Sequence, residues 1–131
     1  MVELDAFKSE LNTYTEPLKE VRDSLDLENK EKRVEELERE MEAPGFWDNA
    51  ERSQKMMKEL SALKGDMEIY HKLKNQKEEI ELMIEMGYEE NDESVIPDIE
   101  EMMEEFKTDF DHIRIKTLLS GEYDKDNAIV T

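Results

Sequence analysis

The sequence predicts an all-α fold: an antiparallel helical bundle of three to four helices with a long third helix, plus a short strand-like tail at the C-terminus. Apolar residues recur at alternating steps of three and four along most of the chain, which is the spacing of one helix face. Charged residues make up 42% of the 131 residues and the mean hydropathy is -0.90, so a core has to come from narrow stripes. Most of the three prolines and four glycines fall where those stripes stop.

The first helix is predicted from about Leu4 to Ser24. Pro17 lies inside it, lacks a backbone donor and clashes with the preceding turn, so a kink or a break is expected near residues 13–16. The stripe keeps its phase across this proline, which favours a kink over an end. It comprises Leu4, Phe7, Leu11, Tyr14, Leu18, Val21 and Leu25.

A second, very polar helix is predicted from Leu27 to Met41, with Asp26 as its N-cap. Acidic and basic residues one turn apart are expected to give it a little extra support. These pairs are Glu28 with Lys32 and Glu35 with Arg39, and the apolar positions are Leu27, Val34, Leu37 and Met41.

The third helix is predicted to be the longest, beginning after Asp48 or Asn49 and running to about Met86. Gly65 is tolerated inside it at a cost of about 1 kcal/mol relative to alanine, and Gly87 is a natural stop. The apolar positions are Met56, Leu60, Leu63, Met67, Tyr70, Leu73, Ile80 and Ile84.

A fourth helix is predicted to begin after Asp92 or Ser94, to hold Pro97 in its first turn, where a missing donor is harmless, and to end near Leu119. Its stripe comprises Ile99, Met103, Phe106, Phe110, Ile113 and Thr117.

The last residues differ from the predicted helices, because residues 128–131 have strand propensity. A strand needs a neighbour for its backbone groups, and four helices offer none. We therefore divide the chain into a helical domain, 1–120, and a linker with the beginning of a further, missing domain, 121–131.

The stretch from Ala43 to Asn49 interrupts an otherwise uniform run of Glu, Lys, Leu and Met, and it holds the single tryptophan. A tryptophan beside a Pro-Gly turn is either an exposed hot spot for a partner or a ring packed across the turn. We favour packing, with a cost of about 3–5 kcal/mol on its loss. The predicted structural anchor of the turn is Pro44, Gly45, Phe46, Trp47 and Asp48.

The net charge of -19 argues against binding to DNA, to bare nucleic-acid backbone or to anionic membranes, and it favours a basic partner or no electrostatic partner at all. The chain has no cysteine, no apolar run of the roughly 20 residues that a membrane span needs, and no signal-peptide pattern. A cytoplasmic location is therefore expected.

Candidate chemical sites are weak. Carboxylates fall mostly on outward helical positions, where a perturbed general acid is not expected. His71 and His112 lie on different predicted helices, and Asp124 to Asp126 lacks the glycine of a calcium loop. We predict no enzyme activity and no cofactor or metal. The methionines fit a core better than an adaptable binding surface; they are Met56, Met57, Met67, Met83, Met86, Met102 and Met103.

Four segments carry a resemblance to a known family. They are LDLE at 25–28, RVEELE at 33–38, APGFWD at 43–48 and LLSGEYD at 118–124. In this order they resemble the N-terminal region of the bacterial class I peptide chain release factors that read UGA and UAA, the release factor 2 family. The Phe-Trp turn and the Ser-Gly-Glu-Tyr-Asp segment are the specific parts of the match.

The resemblance implies a longer protein that acts in translation termination. In the family, later domains carry a Ser-Pro-Phe stop-codon reader and a Gly-Gly-Gln loop for hydrolysis of peptidyl-tRNA, and neither tripeptide occurs here. The partners implied for this region are the ribosome, through a stalk-base ribosomal protein and ribosomal RNA, and the class II release factor, a GTPase. Leu25-Asp26 matches the dipeptide at which the family often encodes a frameshift.

A second hypothesis stays open from the sequence. The chain could be an acidic coiled-coil scaffolding module that dimerises through its third helix. A scaffold would be elongated and keep its heptad rhythm through the breaks, whereas a bundle folds back at each one.

Overall fold

The computed structural model describes the backbone of residues 2–130 and the side chains of residues 2–117. Across this range the chain forms five α-helices and one short 3₁₀ helix, and it contains no strand. The helices are α1 Val2–Asn12, α2 Thr15–Ser24, α3 Leu27–Met41, α4 Ala50–Glu90 and α5 Val95–Val130, with the 3₁₀ helix at Phe46–Asp48. The predicted all-α bundle with a long third helical segment is therefore confirmed.

α4 is the central helix, against which each of the other four helices packs. Its 41 residues span about 60 Å at the helical rise, and its ion pairs with α3 lie in its first half, at Glu59, Lys64 and Asp66. Helices α1, α2 and α5 pack against its second half. We call α3 with residues 46–67 the arm, and α1, α2 and α5 with the rest of α4 the main bundle.

Each part has its own apolar core. The main-bundle core contains residues from all of the predicted stripes except that of α3; it comprises Leu4, Leu11, Leu18, Val21, Leu73, Ile80, Ile84, Ile99, Met103, Phe106 and Phe110. The arm core is smaller and comprises Leu37, Phe46 and Met56, with Met41, Leu60 and Leu63 packed against it.

The first predicted helix is in fact two helices. α1 ends at Asn12 and α2 begins at Thr15, with Tyr14 between them at φ -93° and ψ -3°. Pro17 has no N–H for the carbonyl of Thr13, so the helical ladder stops there. The predicted position of the break is confirmed, but the kink favoured over an end is wrong. Both helices still point their stripes into the same core.

The predicted stop of the long helix at Gly87 is also wrong. α4 continues to Glu90, and Asn91 adopts the left-handed conformation, with φ 50°. The N–H of Asp92 donates to the carbonyl of Gly87 (3.1 Å) and that of Asn91 donates to Tyr88 (3.4 Å), which is the Schellman arrangement.

Gly87 instead permits a close approach between helices. A Cβ added there would lie 2.9 Å from Cδ1 of Leu4 and 3.0 Å from Cγ2 of Val95. We expect Gly87→Ala to destabilise the protein by about 1–3 kcal/mol, as overpacking does. Gly65 on the same helix has nothing within 4 Å of such a Cβ, so Gly65→Ala should stabilise by about 1 kcal/mol. Urea unfolding followed by circular dichroism measures the sign of the stability change in each variant. An equal change in the free energy of unfolding for the two variants would contradict the close-packing role of Gly87.

α5 differs most from expectation. Its backbone stays helical to Val130, so the predicted end near Leu119 and the strand over 128–130 are wrong. Because no strand among residues 2–130 offers an edge to pair with, the helix satisfies these backbone groups locally. Thr131 lies outside the described residues, and the division at residue 120 stays a prediction.

Candidate functional site: the turn at the tip of the arm

The tip of the arm is a tight turn encoded by Pro44 and Gly45. The N–H of Phe46 donates to the carbonyl of Ala43 (3.2 Å), and Gly45 lies at φ 81° and ψ 1°. Proline at the second position and a left-handed glycine at the third make this a type II turn. Only glycine adopts that conformation without strain, so these two residues reverse the chain between α3 and α4.

The two adjacent aromatic residues have opposite environments. Phe46 is 4% exposed and packs in the arm core, whereas Trp47 is 59% exposed. Their rings meet edge to face, with centroids 4.9 Å apart. The prediction that Trp47 packs across the turn is wrong, because the 3₁₀ helix points only the first of the two rings toward α3 and α4. The role of the five-residue segment as the anchor of the turn stays a prediction.

The start of α4 follows directly from the turn. Of the two predicted cap residues, Asn49 is the one used: its Oδ1 accepts the N–H of Arg52 at 3.0 Å. At the start of α3, Asp26 takes the predicted cap position, but in a left-handed conformation and without a capping bond. Its carboxylate instead accepts from the side chain of Asn29 at 2.9 and 3.1 Å.

Three ion pairs join the two helices of the arm. Both Nε and Nη2 of Arg33 donate to the carboxylate of Glu59, at 2.6 and 3.1 Å, in a bidentate pair. The other pairs are Lys30 with Asp66 (2.7 Å) and Lys64 with Glu38 (3.2 Å). The predicted pairs within α3 are not formed among the described side chains. The cross-helix pairs were missed, although Arg33 and Glu59 lie at similar distances along the chain from the turn, as an antiparallel hairpin requires.

An open groove of about 460 Å³ lies beside the turn, between α3 and the start of α4. Three basic and three acidic side chains line it, so it has no single-sign field that would select an ion. Its lining residues are Arg33, Glu40, Asn49, Glu51, Arg52, Lys55, Met56 and Glu59. The groove can offer polar contacts to a partner surface, and its lining contains no histidine, serine or cysteine to act as a nucleophile.

Comparison with known proteins shows the relationship. Residues 30–131, which include the turn and all of α4, match the family described as the PCRF domain. The chain belongs to the PCRF domain family. Together with the similarity to proteins named peptide chain release factor 2, this match confirms the resemblance inferred from the four segments of sequence.

Relatives of this PCRF domain chain are much longer proteins. It is 37% identical over 129 residues to peptide chain release factor 2 of Staphylococcus saprophyticus subsp. saprophyticus. The aligned region covers 98% of this chain and 35% of that protein. It is 38% identical over 129 residues to the protein of that name from Exiguobacterium sp., with the same coverage. For the protein of that name from Clostridium perfringens the identity is 35% over 131 residues, covering 100% of this chain and 36% of that protein. The chain spans about a third of the length of these curated relatives.

Other candidate residues of this PCRF domain chain lie apart from the turn. His71 and His112 are exposed and lie on different helices, α4 and α5. Met56 and Met103 are buried, while Met57 and Met86 are exposed, so the core interpretation holds for only part of the set. The others, Met67, Met83 and Met102, are half-buried. The backbone of Asp124 to Asp126 is helical within α5, and their side chains lie outside the described ones.

Neither a metal site nor a membrane span is found in the described part of this PCRF domain chain. No group of three or more His, Cys, Asp or Glu side chains there could hold a metal ion. No described helix is both long enough and apolar enough to cross a bilayer.

The Arg33–Glu59 pair makes the arm of the PCRF domain sensitive to acid. The hydrogen bonds from Arg33 lower the pKa of the Glu59 carboxyl. A lowered folded-state pKa contributes stability above the unfolded value of about 4.3, and that stability is lost as the pH falls through the folded value. We expect the Glu59 carboxyl to titrate below its ordinary range by NMR and to return to it in Arg33→Gln. An unchanged titration in that variant would contradict the pairing.

Proposed function

We propose that the chain is the N-terminal region of a class I peptide chain release factor that acts in translation termination at UGA and UAA. The observation that carries this proposal is the identity of 35–38% to proteins named peptide chain release factor 2, over at least 98% of the chain. The region would work in the cytoplasm, where it helps to seat the factor on the ribosome.

We assign this region a role in binding and no part in codon reading or hydrolysis. The tripeptides that the family uses for codon reading and hydrolysis, Ser-Pro-Phe and Gly-Gly-Gln, do not occur in the sequence. The groove beside the turn is lined by charged and polar side chains and by Met56, and within it Arg33 and Glu59 form an ion pair. We therefore assign this region a role in contact with the ribosome and the class II release factor, and no enzyme activity of its own.

The charge of the chain favours a basic protein as the contact. With 37 acidic and 18 basic residues, the surface repels bare RNA backbone and attracts a basic stalk-base ribosomal protein. Trp47 at the tip of the arm is a suitable anchor, since a large exposed aromatic residue supplies much of the binding energy of many interfaces.

A reconstituted termination assay tests whether this region lacks release activity of its own. We expect the 131-residue chain to release no peptide in response to a stop codon, and to compete with the full-length factor at high concentration. Codon-dependent release by this chain alone would contradict the proposal.

Binding to ribosomes tests the contact separately. We expect the chain to bind ribosomes at low salt and to dissociate as the ionic strength rises, because the attraction between exposed charges is screened. Trp47→Ala should weaken this binding about tenfold, while Met57→Ala, at another exposed position of the arm, should leave it within twofold. Absence of binding at low salt would contradict docking on the ribosome.

The folding back of the chain favours the bundle over the coiled-coil scaffold. The helices reverse at residues 42–49 and 91–94, and the stripes of α1, α2, α4 and α5 close on one another. We expect a monomer by sedimentation equilibrium, and a dimer through α4 would support the scaffold instead.

A further inference from the structure

The outer face of α4 near its C-terminal end carries an apolar pair that no part of the described chain covers. Leu82 is 58% exposed and Met86 is 44% exposed. They lie four residues apart, so their side chains are neighbours on one face. Ile80 and Ile84 on the opposite side of the same turns are buried in the main bundle, so Leu82 and Met86 do not contribute to that core.

Unpaired carboxylates surround this apolar pair. Glu78 and Glu79 lie one turn before Leu82, Glu85 lies one turn after it, and Glu89 follows Met86 by three residues; all four are exposed. None of the four forms an ion pair with another described side chain. We call these six residues the α4 acidic face: Glu78, Glu79, Leu82, Glu85, Met86 and Glu89.

The charge around the α4 acidic face is mostly negative, with Lys77 just before it and Lys8 of α1 near Glu85. Residues 78–105 contain 13 acidic side chains and no lysine or arginine, whereas residues 27–67, most of the arm, contain 11 acidic and 8 basic side chains. The negative field of the molecule is therefore concentrated at the α4–α5 end, where the apolar pair lies.

We propose that the α4 acidic face docks a basic amphipathic helix of a partner protein. Leu82 and Met86 form an i, i+4 ridge, which packs against the apolar stripe of a second helix. Lysine or arginine residues beside that stripe then pair with Glu78 and Glu79 on the preceding turn and with Glu85 and Glu89 on the following ones. The arrangement is the helix-on-helix mode in which spaced apolar anchors are combined with flanking charges.

Charge selects this occupant over the others. A second copy of the chain would bring the same 13 carboxylates against this end, and nucleic acid or an anionic lipid surface would be repelled in the same way. The two exposed apolar side chains are too few for a large permanent interface, so the contact belongs to the small, transient class. The inference goes beyond the proposed function, because it requires neither the ribosome nor the arm.

A synthetic peptide tests the docking directly. The probe is a fluorescein-labelled peptide of Leu and Lys, about five helical turns long, with its leucines at i, i+4 spacing. We expect the 131-residue chain to bind it at low salt. Leu82→Ser combined with Met86→Ser should weaken binding about tenfold, whereas Ile115→Ser, at a residue of α5 that is 59% exposed, should leave it within twofold.

Matched charge variants separate the α4 acidic face from bulk charge. We expect Glu78→Gln, Glu79→Gln and Glu85→Gln together to weaken binding more than Glu28→Gln, Glu35→Gln and Glu42→Gln together, which change the net charge equally. Amide shifts of the unsubstituted protein should change over 78–89 on addition of the peptide. Equal loss in both triple variants, shifts centred elsewhere, or a dimer of the unsubstituted chain that the serine variant abolishes would each overturn the proposal.

Discussion

Replacing Phe46 by alanine is expected to destabilise the protein by about 3 kcal/mol, whereas Trp47→Ala should cost less than about 1 kcal/mol. Phe46 is 4% exposed and is the only aromatic ring of the arm core, which it shares with Leu37 and Met56. Its removal leaves a cavity among leucine and methionine side chains, and such sites relax only partially. The exposed indole of Trp47 loses little more than its edge contact with Phe46.

Urea unfolding of the two single variants measures this difference. Circular dichroism reports the helices in both variants, and in Phe46→Ala the fluorescence of Trp47 reports the tip of the arm. Because α4 runs through both cores, we expect the two signals of Phe46→Ala to change in one transition. An equal loss of stability in the two variants would show that both rings anchor the turn.

Phe106→Ala is expected to destabilise the protein by about 4 kcal/mol, a larger loss than that of Phe46→Ala. Phe106 is fully buried at the centre of the main bundle. It packs edge to face against Tyr14, with ring centroids 5.2 Å apart, and it lies 6.0 Å from Phe110. The substitution therefore removes both buried area and favourable aromatic contacts between α5 and the start of α2.

Two variants provide the comparison for Phe106→Ala. Thr108→Ala changes an exposed residue of the same helix and should alter stability by less than about 0.5 kcal/mol. Phe106→Leu retains most of the volume and should lose less than the alanine variant. A loss below about 1 kcal/mol for Phe106→Ala would mean that α5 is not held to the bundle through this ring.

The helices could be predicted from the sequence because their signals are local. Apolar residues three and four positions apart define one face, and this rule identified all eleven residues of the main-bundle core, including Leu73, Ile80, Phe106 and Phe110. The start and end of α3 were also predicted to the residue. The end of α4 was not predicted. A glycine such as Gly87 usually marks the end of a helix, but in this fold it allows close packing between helices.

At the candidate site, the sequence predicted the turn but not which of its two aromatic rings is buried. Pro44 and Gly45 encode a type II turn through their own backbone preferences. Which of Phe46 and Trp47 faces the core depends on the direction of the 3₁₀ helix and on the positions of Leu37 and Met56, which lie on two different helices.

The sequence by itself determined the helical class, the apolar stripes, the reversal at the Pro-Gly turn, the net negative charge and the segments that indicate the family. Each of these depends on residues within a few positions of one another or on composition. Only the tertiary structure decided which aromatic ring is buried, that Arg33 pairs with Glu59 across the arm, and that Leu82 and Met86 stay uncovered beside their carboxylates. These features depend on which helices meet and at which register, and packing between distant residues sets both.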